Sequence, residues 1–376
     1  MMLRAGLLVC ALALAAACAT QSAPESAASA DPYLQVSERV ADRVHVLRQG
    51  MANFSGPTGN VTIIEQDDSI VLVDSGNSRG AGARVVEAVR RISDKPVSAV
   101  IITHWHNDHP LGLSAIVAAW PNVEIIAHEA TRTRLTEGRT NVPQQPDATY
   151  EARRRQLLTQ DYATLFETNG TDQSLSQEER EGWARARQAL TIRAADEPGT
   201  YLVLPNRIVR DAIRLDDRNA PIEVSFLGRA NTDGDLVVWL PRQRVLVAGD
   251  VVVSPAPYMF SMYPGEQIAV LEQMRGRDFA ALVPGHGAVQ RDKAYLDLLI
   301  AFIRDVRAQM AALARSGLSA EEAAARVDVS AYAQRFAGED RWLRYWFDAY
   351  SVQPLLDSAY REAKGEPLGP PPLAAN

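Results

Sequence analysis

Between Ile102 and Pro110 the chain reads His104-Trp105-His106-Asn107-Asp108-His109, so three of its six histidines fall within six consecutive positions, with a carboxylate among them. Imidazole and carboxylate donors at this density call for a divalent ion, and together they suit zinc or another borderline ion. Such donors must be held at fixed angles, which needs a rigid support. The apolar run Ala99-Val100-Ile101-Ile102 supplies one, because it reads as a buried strand about to end in a loop, where sites are commonly built.

Other short stretches join the pattern. Asp74 lies in Val71-Leu72-Val73-Asp74-Ser75-Gly76, Asp250 in Val247-Ala248-Gly249-Asp250, and His286 in Val283-Pro284-Gly285-His286-Gly287. In this order the motifs resemble those of the metallo-β-lactamase superfamily, whose hallmark is His-x-His-x-Asp-His after a strand. The resemblance covers most of the chain after its first residues. It implies that Asp74 braces the metal loop without ligating. It further implies that His104 and His106 hold a first ion, that Asp108, His109 and His286 hold a second, and that Asp250 bridges them. A hydroxide between the ions would be the nucleophile, with Asp108 and Asp250 also offsetting the cationic charge. The cofactor expected is one or two Zn2+, with the Asp108, His109 and His286 site filled in preference.

One motif departs from the family. Its third motif usually reads Gly-x-x-His-Thr-x-Gly-Asp, whereas this chain has Gly228-Arg229-Ala230-Asn231-Thr232-Asp233-Gly234-Asp235. Asn231, or a water, would complete the first metal site. An amide oxygen is neutral and harder than imidazole, so it should hold zinc less tightly.

The first residues carry an address. Arg4 followed by the apolar run from Ala5 to Ala17 has the length of a secretory signal and is too short to span a bilayer. Leu14-Ala15-Ala16-Ala17-Cys18 resembles a lipoprotein processing site, making 1–18 the signal, 19–34 a polar tether and Cys18 the lipid anchor of an exported, periplasmic protein. Cleavage after Ala28-Ser29-Ala30 is the competing reading. Both cysteines, Cys10 and Cys18, fall in the leader, so the domain from residue 35 to 364 can have neither a disulfide nor a thiolate ligand.

Strand patterns are expected at Val44–Leu47, 61–65, 70–73 and 97–103, with a helix carrying Val85, Val89 and Ile92 before the metal loop. Another strand is expected at 123–126, and a second β half follows at 222–226, 236–240 and 245–248, with the run 281–283 leading into the His286 loop. Residues 129 to 199, rich in Arg, Gln, Glu and Thr, read as a helical insertion, either a lid over the site or a solvated decoration. Helices are expected from about 291 to 364, starting with the stripe Tyr295, Leu298, Leu299, Phe302, Ile303, Val306 and Met310, and 365–376 as an unpacked tail. Pattern alone gives mixed α and β; the resemblance implies an αββα sandwich.

A formal charge of −7 and no long basic run argue against nucleic acid as partner, and hence against the superfamily's nucleases, and point to a small-molecule substrate. Aspartate at position 250 resembles the glyoxalase II and lactonase branches, so cleavage of an ester, thioester or lactone is the expected activity. No lysine follows in Val251-Val252-Val253-Ser254, where some β-lactamases keep one, so β-lactam hydrolysis is the alternative; a non-catalytic metal binder with a degraded first site is another. His128 could support the site or the fold, and His45 reads as a strand residue. Trp105, Tyr258, Met259 and Phe260 either line the cleft or pack.

Overall fold

Strands β3 (Val61–Glu65) and β4 (Ile70–Val73) force the chain into layers. Ile64, Val71 and Val73 lie in one apolar cluster, while Val61, Ile63, Ile70 and Leu72 lie in another on the opposite face. Strands that are apolar on both faces must be covered on both. In this computed structural model the described residues are 35–49, 58–161, 164, 167, 171, 174–260 and 262–370. The expected signal, the tether to residue 34, Cys18 and both processing points fall outside them, as does the tail beyond residue 370.

With β1 (Gln35–Ala41), β2 (Val44–Gln49), β5 (Val97–Ile101), β6 (Glu124–His128) and β7 (Arg207–Val209), these strands form a seven-stranded sheet in chain order. Pairing is antiparallel up to β4 and parallel from β4 to β7. Parallel neighbours need crossovers. Helix α1 (Arg79–Ile92) makes the first, burying Val85, Val86 and Val89; Ser78 caps its start by accepting from Ala81 N, and Arg90 and Arg91 face its C-terminal dipole. Helix α2 (Leu113–Ala119) makes the second.

The second sheet has the order β12–β11–β10–β9–β8, from β8 (Ala212–Leu215), β9 (Ile222–Phe226), β10 (Leu236–Leu240), β11 (Val245–Val253) and β12 (Ala281–His286). Val224, Val238, Leu240, Val245, Val247 and Val283 meet Val46, Val71, Val73 and Ile101 of the first sheet in the central core. Leu246, Ala248 and Val252 face the other way, onto Leu299, Phe302, Ile303 and Val306 of the helix Ala294–Arg315. The expected αββα sandwich and the expected stripe on that helix are both present. Strands β1, β7 and β8 had no counterpart among the expected segments. The described side chains of β7 and β8 are mostly part-exposed, so apolar runs do not mark them.

The insertion contains α3 (Glu129–Thr136), α4 (Ala148–Gln156), which runs on into a π-helical turn Leu157–Asp161, and a long helix Gln177–Asp196 closed at its start by a Ser176–Glu179 capping box. Leu135, Val142 and Tyr150 pack with Trp105 and Leu111 of the metal loop. On the far side, the rings of Trp183 and Trp342 meet edge to face at 5.1 Å. The segment thus joins the metal loop to the C-terminal helices. These end at Lys364, with Gly365 in the left-handed conformation that closes a helix. Just beyond, Gly369 is buried against the Tyr263 ring, so this part of the expected tail is packed. No helix among the described residues is long and apolar enough to cross a membrane.

Candidate metal centre

The metal loop hangs from the end of β5 and is tied to the end of β4 by Asp74. The Asp74 carboxylate accepts from Thr103 N at 2.8 Å and lies 2.8 Å from His109 Nδ1. The Thr103 hydroxyl is 2.9 Å from Asp74 Oδ2 and 3.0 Å from His104 Nδ1, so it donates to the carboxylate and accepts from the imidazole. Both hydrogen bonds put the proton of each ring on Nδ1. Nε2 of His104 and of His109 is thereby left free as a ligand atom. Asp74 adopts φ 64°, a left-handed conformation that aspartate tolerates better than most residues.

Two donor groups result. One is Asp108, His109, Asp250 and His286; the other is His104, His106 and Asp250. In the first, Asp108 Oδ2 lies 2.9 Å from His286 Nε2 and 3.6 Å from His109 Nε2, while Asp250 Oδ1 lies 3.3 Å from His109 Nε2 and 3.4 Å from His286 Nε2. In the second, His104 Nε2 lies 3.0 Å from His106 Nδ1 and 3.6 Å from Asp250 Oδ2. Asp250 therefore turns one oxygen to each group. Ligands about 2.1 Å from a tetrahedral ion stand roughly 3.4 Å apart, so these separations suit a divalent cation.

Unsatisfied atoms test the fit. His109 Nε2, His286 Nε2 and Asp250 Oδ1 are buried and make no hydrogen bond. Buried polar atoms without partners are costly, and three converging on one point fit the donor set of a divalent cation. The electrostatics agree. Burial opposes the charged form of His286, but the Asp250 and Asp108 carboxylates outweigh it and raise its pKa to about 9. His109 is likewise pushed well above the ordinary value, burial being overcome by Asp250, Asp74 and Asp108. Burial alone would raise Asp108 and Asp250, yet the neighbouring histidines hold both below the usual carboxylate range. In the other group, burial lowers both His104 and His106, so those rings are neutral.

Fold irregularities aim these side chains. A register shift between β11 and β12 falls at Gly249, which has φ 52°, and turns Asp250 toward the loop. A Cβ at Gly285 would collide with the Asp250 carboxylate, and one at Gly59 would lie 2.6 Å from His109 Cε1. Only glycine permits either approach. Asn60 ties β12 in place, its amide donating to Pro284 O at 2.9 Å and to Gly287 O at 3.0 Å. Thr103, Gly59 and Asn60 were not among the expected site residues. Thr103 could have been suspected from its place between the apolar run and His104; Asn60 and Gly59 carry no sequence signal.

The structure brings together His104, His106, Asp108, His109, Asp250 and His286. Asn231, on the loop between β9 and β10, is fully buried with its amide nitrogen 3.5 Å from His106 Nδ1 and its oxygen unpartnered. It adjoins the His104–His106 group. His128 serves the fold: its ring caps α3 by accepting from Ala130 N and stacks on Phe226 at 4.1 Å. His45 faces Glu65 at 3.6 Å across β2 and β3. The Trp105 ring lies 4.3 Å from His106 and packs under the insertion. Met259 is core, whereas Tyr258 stands 5.1 Å from His286 and Phe260 is 36% exposed nearby.

Similarity to known proteins follows the same lines. The chain is 25% identical over 330 residues to a linear primary-alkylsulfatase of Pseudomonas sp. (strain ATCC 19151), covering 83% of this chain but 57% of that protein. It is 23% identical over 246 residues to a type 2 metallo-beta-lactamase of Bacillus sp. (strain 170), covering 64% of this chain and 71% of that one. Among solved structures, a stereoselective inverting sec-alkylsulfatase from Pseudomonas sp. superposes with TM-score 0.60 at 17% identity, over 87% of this chain and 50% of the other. A metallo-beta-lactamase from Pontibacter korlensis gives 0.51 at 15%, over 72% and 99%. The chain thus spans about half the length of the alkylsulfatases it matches. The description of the metallo-beta-lactamase superfamily matches residues 56–286, which run from just before Gly59 to the last histidine of the centre, and the chain belongs to that superfamily.

Proposed function

We propose that the protein is a zinc-dependent hydrolase of small-molecule esters. The observation that carries this reading is the buried Asp250 carboxylate, with one oxygen 3.6 Å from His104 and the other 3.3 Å from His109 and 3.4 Å from His286. A carboxylate shared between two donor groups suits a pair of ions. When bound, such ions supply Lewis acidity and activate water near neutral pH. The chain's own part is to hold them. Asp74 and Thr103 fix the two imidazoles, and Asp108 and Asp250 balance the charge. No nucleophilic side chain is needed.

Among esters, sulfate esters of alkyl chains stand first, because a relative aligned over 83% of this chain is an alkylsulfatase. Carboxylic esters, thioesters and lactones share the required chemistry, an electrophilic centre with an oxygen that gains charge. The aromatic residues beside His286 suit an apolar substituent. The insertion, packed on Trp105, frames the other side of the centre and is the segment to which we assign substrate choice. The apolar run from Ala5 to Ala17 and Cys18 support export with a lipid anchor; an unchanged membrane fraction for Cys18→Ser would remove that part.

Metal content of the purified protein, followed by turnover of an alkyl sulfate, a carboxylic ester, a thioester, a lactone and a β-lactam, tests the reading. Hydrolysis of an ester class that disappears on chelation and returns with zinc is expected. Undiminished turnover in metal-free protein, or turnover of the β-lactam alone, would overturn it.

A further inference from the structure

Tyr258 is 7% exposed, and its hydroxyl makes no hydrogen bond to any described residue. Its ring meets His286 at 5.1 Å and Tyr350 at 5.2 Å, and the Asp108 and Asp250 carboxylates are near enough to act on the phenol electrostatically. Packing alone would need only a phenylalanine. The hydroxyl is thus free beside the donor groups and available to a partner from outside the chain.

The surroundings give that partner a shape. Phe260 stacks edge to face with Tyr350 at 4.9 Å and is one of two large apolar side chains exposed among the described residues. Tyr350 comes from the π-helical turn Phe347–Val352, beyond the region that matches the superfamily. Such turns are often found at functional sites. This one is fastened to the loop after β11 twice: Met259 N donates to Tyr350 O at 2.9 Å, and Ser351 Oγ donates to Pro257 O at 2.5 Å. The C-terminal helices thereby fix a phenol and an aromatic shelf at the His286 edge of the centre.

We propose that Tyr258 donates a hydrogen bond to the charge-bearing oxygen of the substrate's scissile group, while Tyr350 and Phe260 hold the apolar group attached to it. This rests on the ester-hydrolase reading and specifies the substrate as an ester with an alkyl or aryl arm. A neutral phenol is a donor at working pH, and a bond to a charged oxygen is the strong kind.

The test is equilibrium binding of methylphosphonate and octylphosphonate, tetrahedral anions without and with an alkyl arm, to zinc-loaded protein, with zinc content measured in every variant. Tyr258→Phe should keep its zinc and bind both anions about ten- to a hundredfold more weakly. Tyr350→Ala should weaken octylphosphonate about tenfold and leave methylphosphonate unchanged. Equal affinity of Tyr258→Phe and the unmutated protein for both anions, or no binding of either anion by the unmutated protein, overturns the proposal. Because the readout is binding, failure of every ester to turn over would count against the hydrolase reading alone.

Discussion

Asp74 Oδ2 lies 2.8 Å from His109 Nδ1, both side chains being almost wholly buried, and this one contact decides which nitrogen His109 presents to its neighbours. The same carboxylate reaches His104 through the Thr103 hydroxyl. One residue therefore orients a histidine in each donor group.

Replacing the brace without disturbing the backbone isolates this effect. Asn also tolerates the left-handed conformation at residue 74, so Asp74→Asn should fold. Losing the charge should weaken zinc binding about ten- to a hundredfold, as outer-shell changes do. Competition titration against a chelator of known affinity measures it. Unaltered affinity would mean that the loop orients its histidines without Asp74.

Proton release should distinguish the two groups. In metal-free protein His286 keeps its proton up to about pH 9, and His109 is also raised, so at pH 7 both are charged. Zinc must displace those protons, so affinity at the Asp108, His109, Asp250 and His286 group should keep rising with pH until both rings have lost their protons. His104 and His106 are lowered and already neutral, and their group should release none. Calorimetry in buffers of different ionisation enthalpy counts the protons. Equal release from both binding events would contradict the assignment.

Gly59 gives a steric test. Its added Cβ would stand 2.6 Å from His109 Cε1 and 3.1 Å from Asp108 O. Gly59→Ala should cost about 1–3 kcal/mol of stability by overpacking, seen as a lower Tm, and should reduce zinc content by displacing His109. A variant with unchanged zinc content would show that the loop can move aside without losing its ligands.

How far the sequence reveals this arrangement depends on distance along the chain. His104, His106, Asp108 and His109 are neighbours, so pattern alone points to them, whereas Asp74, Asp250 and His286, at the ends of apolar runs, are picked out by the resemblance to the superfamily's motifs. The two-faced apolar strands likewise announce covered sheets. Asn60 is different: it works through backbone carbonyls of Pro284 and Gly287, more than 200 positions away, and an isolated asparagine says nothing of such partners. The link from Tyr350 to Tyr258 is equally silent, because it needs a helical turn and a loop that only the tertiary fold brings together. Short edge strands such as β7 and β8 escape for a local reason, since their part-exposed residues lack an apolar run.

Asn231 is the point at which the chain leaves its family's pattern. The side chain is fully buried, within 3.5 Å of His106 Nδ1, and its oxygen has no partner. Rotating the amide by half a turn would exchange its oxygen and nitrogen and turn an acceptor toward the His104–His106 group. That oxygen is neutral and harder than imidazole, so the group should bind zinc more weakly than the one built on Asp108, His109 and His286. Two separated affinities, or a single bound ion, are expected in titration. Asn231→His would place an imidazole on a loop already aimed inward, and should tighten the weaker site while leaving the stronger one unchanged. Activity need not rise with it, because a pocket shaped around an amide can use that amide to hold substrate or water. Metal analysis of both proteins at matched free zinc settles the matter: two tightly bound ions in the unmutated protein, unchanged in Asn231→His, would show that the amide is no handicap.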